Sequence, residues 1–225
     1  MQKNADTIQA NVQKALEKVL SYRPNVTGCS RTDAGVHANM FCCHFNSDTD
    51  ISVDKLPVAL NAHLPQDIRV LKCEHVNNDF HSRYSCKAKN YIYKIYNSNI
   101  DSPFLYKYSL KYSKKIDIAL LDKEAKDFIG TYDFSAFCAS KSSIEDKTRT
   151  VKEFDVFEKD DIIIFSVTAD GFLYNMVRIM VGTLLAINEN KIQKGTIKDI
   201  IKSKQRNNAG KTAPAHALYL NKVYY

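Results

Sequence analysis

Tryptophan is absent from this chain, and glycine and proline are scarce, at 7 and 5 of 225 residues. Collagen-like and Pro/Gly-rich disordered chains are thereby excluded, because both need these residues at several times this frequency. No apolar run approaches the ~18 residues that cross a bilayer as a helix. The opening MQKNADTIQA has no apolar secretory core either. These absences predict a cytoplasmic protein with no membrane partner. The six cysteines, at 29, 42, 43, 73, 86 and 138, include no C-x-x-C pair, so reduced thiols are expected. Cys42, Cys43 and His44 adjoin in a strand-like stretch, where alternate side chains face opposite ways and cannot share one zinc ion. No metal site is expected.

What is present is ordinary globular material, 44% hydrophobic and 25% charged. Basic residues outnumber acidic ones by 32 to 25, a formal charge of +7 that favours a polyanionic partner. From Lys191 to Lys211 stand Lys191, Lys194, Lys198, Lys202, Lys204, Arg206 and Lys211, against the single acid Asp199. A second cluster, Lys87, Lys89 and Lys94, is interleaved with Tyr91, Tyr93 and Tyr96. Basic and aromatic residues together suit RNA, with its phosphates and unstacked bases.

Periodicity predicts alternating helices and strands. Ile8, Val12, Ala15, Leu16, Val19 and Leu20 line one helical face, with Asp6 as N-cap and Gln9 as its capping-box partner. Strands are expected near Met40–Phe45 and Ile68–Val76, with a short helix at about Val53–Leu64 between them. Tyr91–Tyr96 reads as a strand presenting Tyr91, Tyr93 and Ile95 on one face. Ile118–Gly130 reads as helical, and Val151–Phe157 with Ile162–Ala169 as a hairpin. Leu173, Met176, Val177, Met180, Val181, Leu184 and Leu185 form a helical stripe. A basic helix at Thr196–Lys204 and a strand at Ala217–Tyr225 close the chain. The element order predicts an α+β fold in two parts, 1–84 and 85–225, with the seam near Ser82–Ala88.

The segment Gly28-Cys29-Ser30-Arg31-Thr32-Asp33-Ala34-Gly35-Val36-His37-Ala38 carries the most chemical information. Gly35 supplies a positive φ for a turn. In extended chain Arg31 and Asp33 project to one side, and a guanidinium beside a carboxylate suits a nucleophile or base. The residues alone leave a second reading open, a structural Asx-turn with a surface ion pair. RTDAGVHA resembles the signature of TruA-type pseudouridine synthases. ALNAHLPQDIRV, FHSRYSCKAKNYIYKIYN, GTYDFSAF, GFLYNMVRIMVG and APAHALYL resemble further blocks of that family, in its order, so the resemblance spans residues 5 to 225.

The resemblance implies that Asp33 is the catalytic carboxylate and that Tyr91 stacks on the target base. It implies that Arg178 pairs with the carboxylate, Arg31 fills the space of a flipped-out base, and Leu218 walls the pocket. It further implies two similar α+β halves forming one large, mostly antiparallel sheet around a basic cleft, with the Asp loop in the first half. The implied activity is isomerisation of uridine to pseudouridine on the 3′ side of the tRNA anticodon stem-loop, at positions 38–40, by a homodimer without cofactors. The family begins with a strand and a G-[FW]-Q-x-Q stretch that should precede Met1, and this start reads as a shortened one. That start raises an alternative, a non-catalytic RNA-binding remnant of the family. A zinc nucleobase deaminase would need H-x-E and P-C-x-x-C, which the sequence lacks. Ala217 stands where the family's block has glycine.

Overall fold

The computed structural model describes residues 7–140 and 144–225. Its elements up to residue 61 are α1 (Ile8–Leu20), β1 (Thr27–Gly28), β2 (His37–Ala38), β3 (Cys43–His44) and α2 (Leu56–Asn61). There follow β4 (Ala88–Asn97), β5 (Leu110–Tyr112), α3 (Ile118–Ala125), β6 (Gly130–Asp133), β7 (Thr148–Lys159) and β8 (Ile162–Ala169). Helices α4 (Met176–Asn188) and α5 (Ile197–Ser203) and strand β9 (Leu218–Tyr224) complete the order. The contacts divide into two units, residues 1–31 with 42–85 and residues 32–41 with 86–225. Thr32–Phe41, the segment that carries Asp33, therefore groups with the second unit.

In the first unit the middle of α1's apolar face is buried, with Val12, Val19 and Leu20 partly buried beside it and Ile8 at its start exposed. Ala15 and Leu16 pack with Val26, Leu60, Leu64 and Ile68. The cap of α1 is Thr7, whose Oγ1 accepts from the Ala10 N–H at 3.1 Å. Asp6, expected in that role, lies outside the described residues, and Gln9 donates to the Val26 carbonyl instead of closing a capping box. Helix α2 is shorter than expected, with Pro57 in its first turn. Only Cys43 and His44 of the Met40–Phe45 stretch form strand, antiparallel to Thr27 and Gly28. The strand expected at Ile68–Val76 does not form. The Asn61 side chain satisfies both polar groups of the Val70 backbone at 2.8 Å, replacing a ladder partner.

The second unit is built on a seven-stranded mixed sheet in the order β2-β9-β4-β8-β7-β6, with β5 also paired to β4. Pairs β2–β9 and β4–β5 are parallel, and the other four pairs are antiparallel. This is the α+β class with a large, mostly antiparallel sheet. The β7–β8 hairpin turns through Asp160 and Asp161, both at positive φ. On β4 the expected face is buried, with Tyr91 6%, Tyr93 0% and Ile95 0% exposed. Tyr93 of the basic–aromatic cluster is thus a core residue and not a surface for bases, while Tyr91 keeps a small exposed part.

Helix α4 is buried around most of its circumference, beyond the stripe its sequence suggests, because Ile179, Thr183 and Ile187 are also fully enclosed. Arg178, Gly182 and Ala186, spaced by four along one line of the helix, are half-buried. Gly182 lets the chain at 210–213 cross that line. A Cβ at Gly182 would overlap the Lys211 carbonyl oxygen, and one at Gly210 would meet the Gly182 carbonyl. The Gly210 N–H donates to Thr183 Oγ1 at 2.8 Å and the Ala213 N–H to the Arg178 carbonyl at 3.0 Å. This close approach brings residues 213–217 to the arginine.

Candidate active site

Asp33 opens a turn closed by the Val36 N–H donating to its carbonyl at 3.2 Å. Gly35 holds the left-handed φ of +81° that the third position of a type II turn demands. The turn is thus closed through the backbone, and among the described residues the carboxylate does not bond back to it as an Asx-turn would. Arg178 Nη1 donates to Asp33 Oδ2 at 3.0 Å, across 145 residues of sequence. The side chains are 16% and 28% exposed, respectively, so the pair sits where water reaches it only in part. Among the described residues Asp33 Oδ1 has no hydrogen-bond partner, which leaves one carboxylate oxygen for a substrate.

Arg178 is itself braced. Asn175, in the left-handed region at φ 62° before α4, accepts from Nη1 at 2.8 Å. Asparagine tolerates that backbone, and spacing of three on a helix brings its amide under the guanidinium. Nε donates to the Ala213 carbonyl at 2.7 Å. Beside it, the Tyr93 hydroxyl donates to the Pro214 carbonyl at 3.0 Å. Burial pushes this phenol's pKa well up, and the positive charge of Arg178 offsets only part of that, so the hydroxyl stays a donor.

Tyr91 lies on β4 between Val167 of β8 and Leu220 of β9, its ring edge-on to Phe172 at 5.0 Å. Leu218 begins β9 opposite Tyr93 and is 6% exposed. The preceding Ala217 is fully buried, ends a tight 3-10 turn and keeps a negative φ, so alanine fits where the family's block has glycine. Arg31 is exposed, at the end of the first unit's leading segment. Asp33, Tyr91, Arg178 and Leu218 belong to the second unit.

Sequence reading assigned no role to Asn175 or His37, nor to the backbone of 213–216, and placed Tyr93 only in the basic–aromatic cluster. Asn175 had a signal, a polar residue three before Arg178 in NMVR. The carbonyls had none, because a backbone acceptor is invisible in residue identity.

The chain matches the family model described as tRNA pseudouridine synthase over residues 1–85 and 125–225. It belongs to the tRNA pseudouridine synthase family. One relative, a tRNA pseudouridine synthase A of Thermoanaerobacter sp. (strain X514), is 46% identical over 224 residues, covering 100% of this chain and 92% of its own. A protein of the same name from Acetivibrio thermocellus is 42% identical over 224 residues, with the same coverage. A third, from Halalkalibacterium halodurans, is 41% identical over 97% of this chain and 83% of its own. As a family member the chain is an enzyme of the isomerase class.

Proposed function

We propose that this protein converts uridine to pseudouridine in tRNA, with Asp33 as the catalytic carboxylate. The observation that carries this reading is the Asp33–Arg178 pair at 3.0 Å, set at a turn and partly open to solvent, within a chain of this family. The reaction breaks the C1′–N1 bond of uridine, turns the uracil and joins C1′ to C5. The C5 proton is released and N1 gains one, so nothing is oxidised and no atom is lost. Such chemistry needs a charged carboxylate, a fixed base and little water, and calls for no metal, nucleotide or redox cofactor. The uridine must leave its stack before these atoms are reachable.

In this reading Arg178 fixes the carboxylate and complements its charge. Tyr91 gives the extruded uracil a face to stack on, Leu218 walls it, and exposed Arg31 fills the space it leaves. The finer reading is the anticodon stem-loop at positions 38–40, modified in the cytoplasm by a homodimer.

Asp33→Asn tests the assignment, because the amide keeps an oxygen for Arg178 and loses the charge. Pseudouridine formation, mapped by mass-sensitive sequencing of tRNA, should disappear while tRNA affinity and melting temperature hold. Turnover within tenfold of the natural enzyme would leave only ~1.4 kcal/mol of barrier for a covalent catalyst to explain, and would refute the role.

A further inference from the structure

Four residues beyond Asp33, the same loop carries an imidazole with no part in the chemistry above. His37 Nε2 lies 3.0 Å from the Lys107 carbonyl oxygen and 3.1 Å from that of His216. Carbonyl oxygens only accept, so Nε2 carries a proton and shares one N–H between two acceptors. The ring stacks on Tyr219, with centroids 4.7 Å apart and planes at 22°, and tilts against Tyr108 at 5.4 Å. The Tyr219 hydroxyl in turn donates to the Tyr108 carbonyl at 2.7 Å. A single side chain thereby joins three segments, its own loop, the turn ending at Tyr108 and the turn entering β9.

The same few residues before β9 receive three anchors of the site. Ala213 is held by Arg178, Pro214 by Tyr93 and His216 by His37. Ala215 lies beside Gly35, where a Cβ on the glycine would meet its own at 3.6 Å, an ordinary van der Waals distance. Asp33 is therefore gripped twice through one strip of chain. Arg178 holds the carboxylate, and His37 holds the backbone that aims it.

We propose that His37 is a positioning residue for the isomerisation, fixing the Asp33 loop through its shared hydrogen bond to the Lys107 and His216 carbonyls. This rests on the reading of Asp33 as the catalytic group. The imidazole makes no proton transfer in the reaction. Its contribution is to hold the carboxylate within the few tenths of an ångström that attack geometry tolerates, where a shift of 1 Å can cost about a hundredfold in rate.

The test compares His37→Phe, which keeps the stacking on Tyr219 and loses the donor, with His37→Gln, whose amide can again donate. Turnover and KM are measured on tRNA transcripts beside Asp33→Asn. The Phe variant should lose about 10- to 100-fold in kcat with KM within about threefold, and the Gln variant should recover most of that loss. The pH profile of kcat should keep its shape in both. Full kcat in His37→Phe with a dead Asp33→Asn would overturn this inference alone, whereas an active Asp33→Asn would overturn the reading beneath it. A limb of the pH profile that vanishes in both His37 variants would also overturn it, making the imidazole an acid or base. His37→Met, apolar and without a donor, replaces the Phe variant should that one not fold. If neither donor-less protein folds while the Gln protein does, His37 holds the fold and not the carboxylate, and the inference fails.

Discussion

At the scale of single residues the site depends on how Arg178 divides its donors. Nε serves the Ala213 carbonyl at 2.7 Å, while Nη1 serves Asn175 at 2.8 Å and Asp33 at 3.0 Å. These acceptors surround a planar fork, and a lysine ammonium cannot stand in both nitrogen positions at once. Arg178→Lys should therefore leave either the carboxylate or the Ala213 carbonyl unanswered. The expected cost is ~1–3 kcal/mol of stability for a part-buried acceptor, read as a lower melting temperature. Turnover should fall at least tenfold, and a lysine variant with full turnover would mean that a point charge is enough. Asp33 and Arg178 were legible because each sits in a short run, RTDAGVHA and NMVR, that resembles a family block. Their contact was legible only through that resemblance. Nothing in residue spacing predicts a bond across 145 positions.

At the scale of elements, the readable parts were those whose burial is set by their own period. Strand β4, the β7–β8 hairpin and α4 all formed where alternation or a helical stripe placed them. The Ile68–Val76 stretch has strand-like composition, yet a strand also needs a neighbour's backbone, and Asn61 supplies side-chain atoms instead. Strands β5 and β6 are short, at 3 and 4 residues, too brief for a period to register. Helix α4 shows how an element's smallest residue can decide the site. Gly→Ala inside a helix ordinarily stabilises by ~0.5–1 kcal/mol. At Gly182 the sign should invert, because the new methyl would overlap the Lys211 carbonyl oxygen, and backbone cannot swing aside as a side chain can. Gly182→Ala should lose ~1–3 kcal/mol in denaturant unfolding. It should also lose activity, since the strip at 210–213 that it displaces carries the Ala213 carbonyl that holds Arg178. An unchanged or higher midpoint would show that the strip can move without harm.

At the scale of the whole molecule the question is where a charge of +7 meets its polyanion. The run from Lys191 to Lys211 is less free than its sequence suggests. Lys191 pairs with Glu189 at 2.6 Å, Lys198 with Asp127 at 3.2 Å and Lys204 with Asp133 at 2.8 Å. Arg206 is turned inward, donating to the Gly210 carbonyl at 2.9 Å and to Thr212 Oγ1 at 3.2 Å. Among the described residues, Lys194, Lys202 and Lys211 are the exposed members of the run without an ion pair. A lysine already neutralised by a carboxylate releases few counterions from RNA, whereas an unpaired one releases close to a full share for each phosphate it meets. Replacing Lys194, Lys202 and Lys211 together by glutamine should thus weaken tRNA binding. It should also flatten the plot of log affinity against log salt, by roughly 0.7–0.9 for each phosphate that is no longer neutralised. The uridine that reacts should not change, because bonds to phosphate position the RNA without reading its bases. Lys204→Gln is the internal control. It breaks the pair with Asp133, so it should lower the melting temperature slightly and leave the salt slope nearly as it was. If the triple variant keeps the natural slope, the run is a solvated face and the RNA lies elsewhere on the protein. If Lys204→Gln flattens the slope as much as the triple variant does, its ion pair opens on binding and paired and unpaired lysines meet the RNA alike.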